Sequence, residues 1–220
     1  EDEGKVYVRV TDYKTGMKAF DITAFYHGLQ MQLPVYLNAA LGIEKKKHPD
    51  KEVVPAGIFY YRIQDPFVDR ADTPEEVEDR ILKELKLDGL VNAEEDVVEH
   101  LEHNLTGTSV LFPIGRNKDG SLSQRSKALA PEEFDTVLAY TEQKEKDLKE
   151  QMYDGTADAA PYEMGNATAC DYCACRDICG FDQRVDGYSF RTLEKYSVEE
   201  AVEKMKERLK EDEGGEKGWE

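Results

Sequence analysis

The chain has 220 residues, 40% of them hydrophobic and 35% charged, and a formal net charge of −18. That length suits one domain with appendages and a real core, and no apolar run approaches the ~20 residues of a membrane-spanning helix, so a membrane is not expected as a partner. The acidic balance also argues against simple electrostatic binding of nucleic acid, which relies on Lys and Arg. In chain order, Glu1-Asp2-Glu3-Gly4-Lys5 has neither the apolar region of a signal peptide nor an initiator Met, and reads as the start of a fragment in the turn before a strand. Val6, Val8 and Val10 then alternate with Tyr7, Arg9 and Thr11, the period of a strand with one buried face. That strand runs into Asp12-Tyr13-Lys14 and the turn pair Thr15-Gly16. Asp12 and Lys14 are two apart and point to the same side of an extended chain. A carboxylate there can hold a divalent cation while the amine orients a water or steadies negative charge. The same spacing equally describes a surface ion pair.

Met17 to Ile22 reads as a short return strand. Phe25 to Leu41 reads as one helix, capped by Asp21 or Thr23, with Leu29, Leu33, Leu37, Ala40 and Leu41 facing a sheet. Gln32 and Tyr36 are i and i+4 and share a face of it, where they can reach the strand-end site or merely bond to the sheet edge. Pro34 falls inside that helix and predicts a kink. Lys45 to Asp50 is a polar loop. Val53 to Ile63 is the second strand, rich in aromatic and β-branched residues. Two strands joined through a long helix are expected to lie parallel in a mixed sheet.

Thr73-Pro74-Glu75-Glu76 starts a helix that runs to about Leu87 and stops before Asp88-Gly89. Asp96 to His103 is a further short helix. His100 and His103 are spaced for a metal pair, but no third ligand lies near them. Ser109 to Ile114 is a strand candidate, and Gly115 to Lys127 a hairpin-like loop with a Lys118-Asp119-Gly120 turn. Its cations suit contact with a nucleic-acid backbone, or it is an exposed hairpin tip. Charge is segmental: Asp65 to Asn104 holds 14 acidic residues against 4 basic, a net of −10, whereas Leu105 to Ala130 holds 4 basic against 1 acidic, a net of +3. Pro131 opens a long helix whose apolar side is Phe134, Val137, Leu138, Leu148 and Met152. Gly155 to Gly165 is irregular. After Gly180 the chain is extended and packs with its aromatics. Ser197 caps a last helix with Val198, Val202, Met205 and Leu209 along one side, and the residues from Gly214 read as a frayed tail.

All four cysteines, Cys170, Cys173, Cys175 and Cys179, fall within ten residues. A disulfide framework would be spread out, so this density points to a metal or cluster site in a reducing, cytoplasmic compartment. The spacing alone leaves zinc and iron–sulfur both open.

The run VTDYKTG, followed by GLQMQLPVYL, resembles the RecB-type nuclease domain of the restriction-endonuclease-like, or PD-(D/E)xK, superfamily. Asp12 and Lys14 match the Asp-x-Lys half of that signature, and Gln32 and Tyr36 match the Gln-x-x-x-Tyr motif. GIFYYRIQDPFV, GRNKDGSLSQRSKALAPEEF and ACDYCACRDICGFDQRVDGYSFRTL extend the likeness to the AddB-type subunits of helicase–nucleases, across most of the chain. The resemblance implies an α/β fold with a mixed central sheet flanked by helices. It implies a nuclease core over 1–165, incomplete at its N-terminus, a Cys-rich iron–sulfur segment over 166–190, and a C-terminal helix and tail over 191–220. It implies Mg²⁺ held by Asp12, the Tyr13 carbonyl and an acid upstream of residue 1, with Lys14, Gln32 and Tyr36 completing a catalytic site. It implies that Cys170, Cys173 and Cys179, with an upstream cysteine, hold a [4Fe–4S] cluster to which Cys175 is extra. The activity implied is exonucleolytic hydrolysis of unwound single-stranded DNA during double-strand-break repair, beside an AddA-type helicase–nuclease partner, with the isolated fragment inactive. The other reading is a non-catalytic scaffold for DNA ends or subunit docking.

Overall fold

The computed structural model describes residues 1–2, 4–16, 19–69 and 73–215. In chain order its elements are β1 (Lys5–Lys14), α1 (Ile22–Tyr26), α2 (Gln32–Lys47), β2 (Glu52–Arg62), α3 (Pro74–Glu84), β3 (Asp88–Asn92), α4 (Glu95–Leu101), β4 (Ala128–Leu129), α5 (Pro131–Tyr153), β5 (Tyr162–Met164), β6 (Ala167–Thr168), β7 (Arg191–Thr192) and α6 (Val198–Gly215). The chain divides into two compact units. The first takes Glu1–Asp21 and Gln30–Glu142, the second Ile22–Leu29 and Gln143–Glu220.

The first unit is built on a mixed sheet of order β1-β2-β3-β4. β1 and β2 run parallel, β2 and β3 antiparallel, β3 and β4 parallel. The parallel β1–β2 pair follows from the helical crossover between them. One sheet face carries Phe59 and Val91, which pack with Val98, Phe112 and Ile114 in a buried cluster. Burying each such side chain contributes about 1.5–3 kcal/mol. The opposite face is covered by α2, which packs on both β1 and β2 through the buried Leu33, Leu37 and Leu41. Lys5 anchors the start of β1, donating to Glu94 Oε1 at 2.9 Å and Asp96 Oδ2 at 3.1 Å.

Several expectations are corrected. The helix expected over 25–41 is two helices. α1 ends in a Schellman turn, with Gly28 at φ +84°, Leu29 N donating to Ala24 O and Gly28 N to Phe25 O, both at 2.8 Å; glycine tolerates that left-handed conformation. Pro34 therefore lies in the first turn of α2, where its missing N–H costs no helical bond and imposes no kink. Asp21 and Thr23 do not cap α2, whose N-cap is Met31 without a side-chain bond; Thr23 Oγ1 instead donates to Tyr196 O at 3.0 Å. Lys45, Lys46 and Lys47 are the last turn of α2 rather than a loop, where cations offset the helix dipole. Residues 19–21 form no strand, and Met17 and Lys18 lie outside the described residues.

Asp88-Gly89, expected as a helix stop, opens β3. A Cβ on Gly89 would stand 1.9 Å from Ile58 O, so glycine here permits close approach of β3 to β2. Ser109 to Ile114 is irregular, with one isolated bridge between Thr108 and Gly115. Thr73 caps α3 as expected, its side chain accepting from Glu76 N at 3.2 Å. On α5, Phe134 and Val137 are buried, but Leu148 and Met152 are exposed.

In the second unit, β5 pairs with β6 antiparallel and with β7 parallel, giving structure to a stretch expected to be irregular. Phe181 lies 4.9 Å from Phe190 and 5.8 Å from Tyr188 between ring centroids. Ser197 and Glu200 form a capping box at α6: Glu200 N donates to Ser197 Oγ at 3.1 Å and Ser197 N to Glu200 Oε2 at 2.8 Å. Val202 and Met205 are buried on that helix, while Val198 is exposed. The helix runs to Gly215, and residues 216–220 of the expected tail lie outside the described residues.

Candidate functional site

β1 ends in the residue pair singled out by spacing. The Lys14 ammonium forms an ion pair with Asp12 and donates to Gln32 Oε1 at 3.0 Å. The other end of the Gln32 amide, Nε2, donates to the Tyr36 hydroxyl at 3.3 Å. The four side chains thus form one continuous line from a strand end to the first turn of a helix. Gln32 is the first residue of α2 and Tyr36 lies one turn further on, so the line exists because α2 starts at Gln32. The side chains of Asp12 and Lys14 are both largely shielded from solvent.

Asp12 Oδ2 is shut off from solvent, and the Lys14 ammonium lies directly against it. One ammonium does not use every lone pair of a carboxylate, so the group can still take a further cation. Arg62 Nε, on the strand position opposite Lys14, is buried without a hydrogen bond. The Lys14 carbonyl accepts from Ile63 N at 2.9 Å. Successive carbonyls alternate across a strand, so the Tyr13 carbonyl faces the side of β1 away from β2. The Tyr13 ring is 64% exposed and meets Tyr61 edge-on at 5.7 Å.

Tyr60 joins this site although sequence reasoning passed over it. It stands opposite Asp12 in the β1–β2 register, so both side chains share a face. The Lys14 ammonium lies 5.4 Å from the Tyr60 ring centroid. Burial, and then the Asp12 charge, push the Tyr60 phenol above its ordinary pKa. Asp88 in turn stands opposite Tyr60 in the β2–β3 register, so Asp12, Tyr60 and Asp88 make one row across three strands. Strand alternation marks Tyr60 as facing one side or the other, but only the register tells that its side is the side of Asp12.

His100 and His103 do not converge. His100 stacks on Tyr7 at 4.1 Å, with Nδ1 2.6 Å from Asp96 O, and His103 pairs with Glu99. In the second unit, Cys170, Cys173 and Cys179 line one cavity of about 360 Å³, and Cys175 lies outside that lining. Cys175 is exposed, and its carbonyl accepts from Ile178 N and Cys179 N. Among the described residues no three His, Cys, Asp or Glu side chains are placed as ligands of one metal ion.

The family described as the PD-(D/E)XK nuclease superfamily matches residues 1–180. Curated relatives named as B-type ATP-dependent helicase/deoxyribonuclease subunits are similar over nearly the whole chain. The one from Lachnoclostridium phytofermentans is 39% identical over 97% of this chain and 19% of its own length. That from a Thermoanaerobacter species is 35% identical over 94% of this chain and 18% of its own, and that from Bacillus cereus is 37% identical over 95% and 18%. The chain therefore spans about a fifth of the length of the curated relatives it matches.

Proposed function

The chain belongs to the PD-(D/E)XK nuclease superfamily, and from that premise we propose that it carries the nuclease site of a helicase–nuclease and hydrolyses phosphodiester bonds in single-stranded DNA. The observation that carries the proposal is the line Asp12–Lys14–Gln32–Tyr36, with the Asp12 carboxylate held out of solvent at its head. The donors suit Mg²⁺, which takes one or two carboxylates and keeps several waters or substrate oxygens. Asp12 and the Tyr13 carbonyl would hold it, with further oxygens from substrate, water or chain beyond these residues. When bound, the ion polarises a phosphoryl oxygen and lowers the pKa of a water.

Lys14 presents a fixed cation beside the scissile position, steadying the charge that develops on phosphate and orienting the attacking water. Gln32 holds the ammonium in place through its carbonyl, and Tyr36 holds the Gln32 amide, so each group fixes the rotamer of the next. Tyr60, kept protonated, forms a neutral wall under Lys14. In the second unit, Cys170, Cys173 and Cys179 are the proposed ligands of a [4Fe–4S] cluster: three thiols on one cavity are the right chemistry for it, with a fourth ligand from elsewhere in a longer protein. The relatives' names support a helicase–nuclease setting; within it, the proposed partner is an AddA-type helicase–nuclease subunit that delivers unwound DNA at double-strand breaks. The test is Asp12→Asn in the full-length protein. Loss of Mg²⁺-dependent cleavage is expected, and wild-type cleavage overturns the proposal.

A further inference from the structure

A second acid–amine pair lies on the face of the sheet that carries Asp12. Asp88 occupies the end of the Asp12–Tyr60–Asp88 row, accepts from Phe20 N at 2.6 Å and pairs with Lys127. Two strand spacings put it about 10 Å from Asp12. Here the first unit opens into a cavity of about 750 Å³, lined among others by Lys86, Asp88, Arg125, Ser126 and Lys127. Three cations face one carboxylate around that space. Burial pushes the Lys86 ammonium below its ordinary pKa, and its Nζ donates to Ser109 O at 2.9 Å.

Arg125 is different. Its backbone N donates to Ser123 Oγ at 3.3 Å, but its guanidinium has no hydrogen bond or ion pair among the described residues. A planar, always-charged fork at the rim of a cavity is suited to phosphate oxygens. The surroundings sharpen the point: in a chain of net charge −18, the segment Leu105 to Ala130 that supplies Arg125 and Lys127 carries +3. A local positive concavity in an acidic molecule draws a polyanion to that place and not to the surface at large. The volume admits a nucleotide, and its lining takes in Asp88 from the Asp12 row together with Leu87 and Ile114 from the cluster on the other sheet face, so the cavity lies at the end of the strands beside that row.

We propose that this cavity seats a backbone phosphate of the single-stranded DNA, a nucleotide or so from the bond placed at Asp12 and Lys14, with Arg125 as its principal ligand and Lys86 and Lys127 as the flanking charges. The proposal rests on the nuclease reading for the identity of the strand. It adds a contact that positions without reading sequence.

The test uses the full-length protein in chelator, so that no cleavage occurs. A single-stranded oligonucleotide substituted with bromouracil is crosslinked to it by ultraviolet light, and the attached peptides are mapped by mass spectrometry. Crosslinks within residues 115–127 are expected. Arg125→Ala should reduce them at least about fivefold and flatten the salt dependence of crosslinking by roughly one phosphate contact, whereas Lys47→Ala, a cation paired with Glu44 on α2, should change neither. Excess inorganic phosphate should weaken the crosslink only slightly if a strand is the ligand; full competition by phosphate overturns the assignment to a strand. Absence of crosslinks in 115–127, or an equal effect of Lys47→Ala, overturns the cavity's role while leaving the nuclease reading intact. Loss of the nuclease reading alone would show as crosslinks here beside cleavage, assayed separately with Mg²⁺, that ignores Asp12.

Discussion

Lys14 Nζ donates to Gln32 Oε1 across 3.0 Å, tying the last residue of β1 to the first residue of α2. Gln32 passes the link on to Tyr36, so its amide is the joint between the strand half and the helix half of the site. Gln32→Leu keeps most of the volume and removes both bonds. Such part-exposed hydrogen bonds contribute only about 0.5–1.5 kcal/mol to stability, so urea unfolding should shift little. Single-turnover cleavage by the full-length protein should fall by about 10-fold to 100-fold through loss of Lys14 placement. An unchanged rate would remove Gln32 from the site.

Tyr60 gives a prediction in pH. Its phenol is held above the ordinary value by burial and then by the Asp12 charge. An unfolded tyrosine ionises near about 10. Between that value and the folded one, the unfolded chain holds fewer protons than the folded chain, so stability falls as pH rises through the window. Below it Tyr60 contributes no dependence. Denaturant melts of metal-free protein should therefore show a shallower alkaline decline in Tyr60→Phe than in wild type. Equal declines would contradict the assigned environment.

Gly89→Ala tests the sheet. The added Cβ would meet backbone atoms of Ile58 and Phe59, the nearest at 1.9 Å. Backbone cannot swing aside as a side chain can, so β3 must separate from β2. A loss of at least about 3 kcal/mol is expected, read as a lowered denaturation midpoint. A near-neutral variant would mean that β3 and β2 do not pair as described.

The cysteines separate by position. Cys173→Ser in full-length protein purified without oxygen should abolish iron–sulfur absorbance, because its thiol lines the shared cavity. Cys175→Ser should retain it. Equal loss in both would place Cys175 among the ligands, and absorbance in neither variant nor wild type would remove the cluster from the account.

Much of the fold was legible in the sequence because the signals are local. Alternating valines mark β1 with one buried face, and Thr73-Pro74 and Ser197 mark two helix starts through caps seen in the structure. The i, i+4 relation of Gln32 and Tyr36 survives even though the helix around them starts at Gln32 rather than Phe25 and runs on to Lys47. What stayed hidden depends on contacts far apart in sequence. β3 was concealed by Gly89, a poor strand former whose use is visible only once Ile58 is beside it. The break at Gly28 needed its left-handed φ. Tyr60 and Asp88 enter the row with Asp12 only through strand register, which no alternation pattern specifies across a crossover.

The most direct test of the central claim is Mg²⁺-dependent hydrolysis of single-stranded DNA by the full-length protein carrying Lys14→Ala. The fold should be retained, since only one ammonium is removed from the strand end. The single-turnover rate should drop by about 10²–10³-fold, the scale for losing one preorganised charge-stabilising group. Cleavage at the wild-type rate would contradict the account.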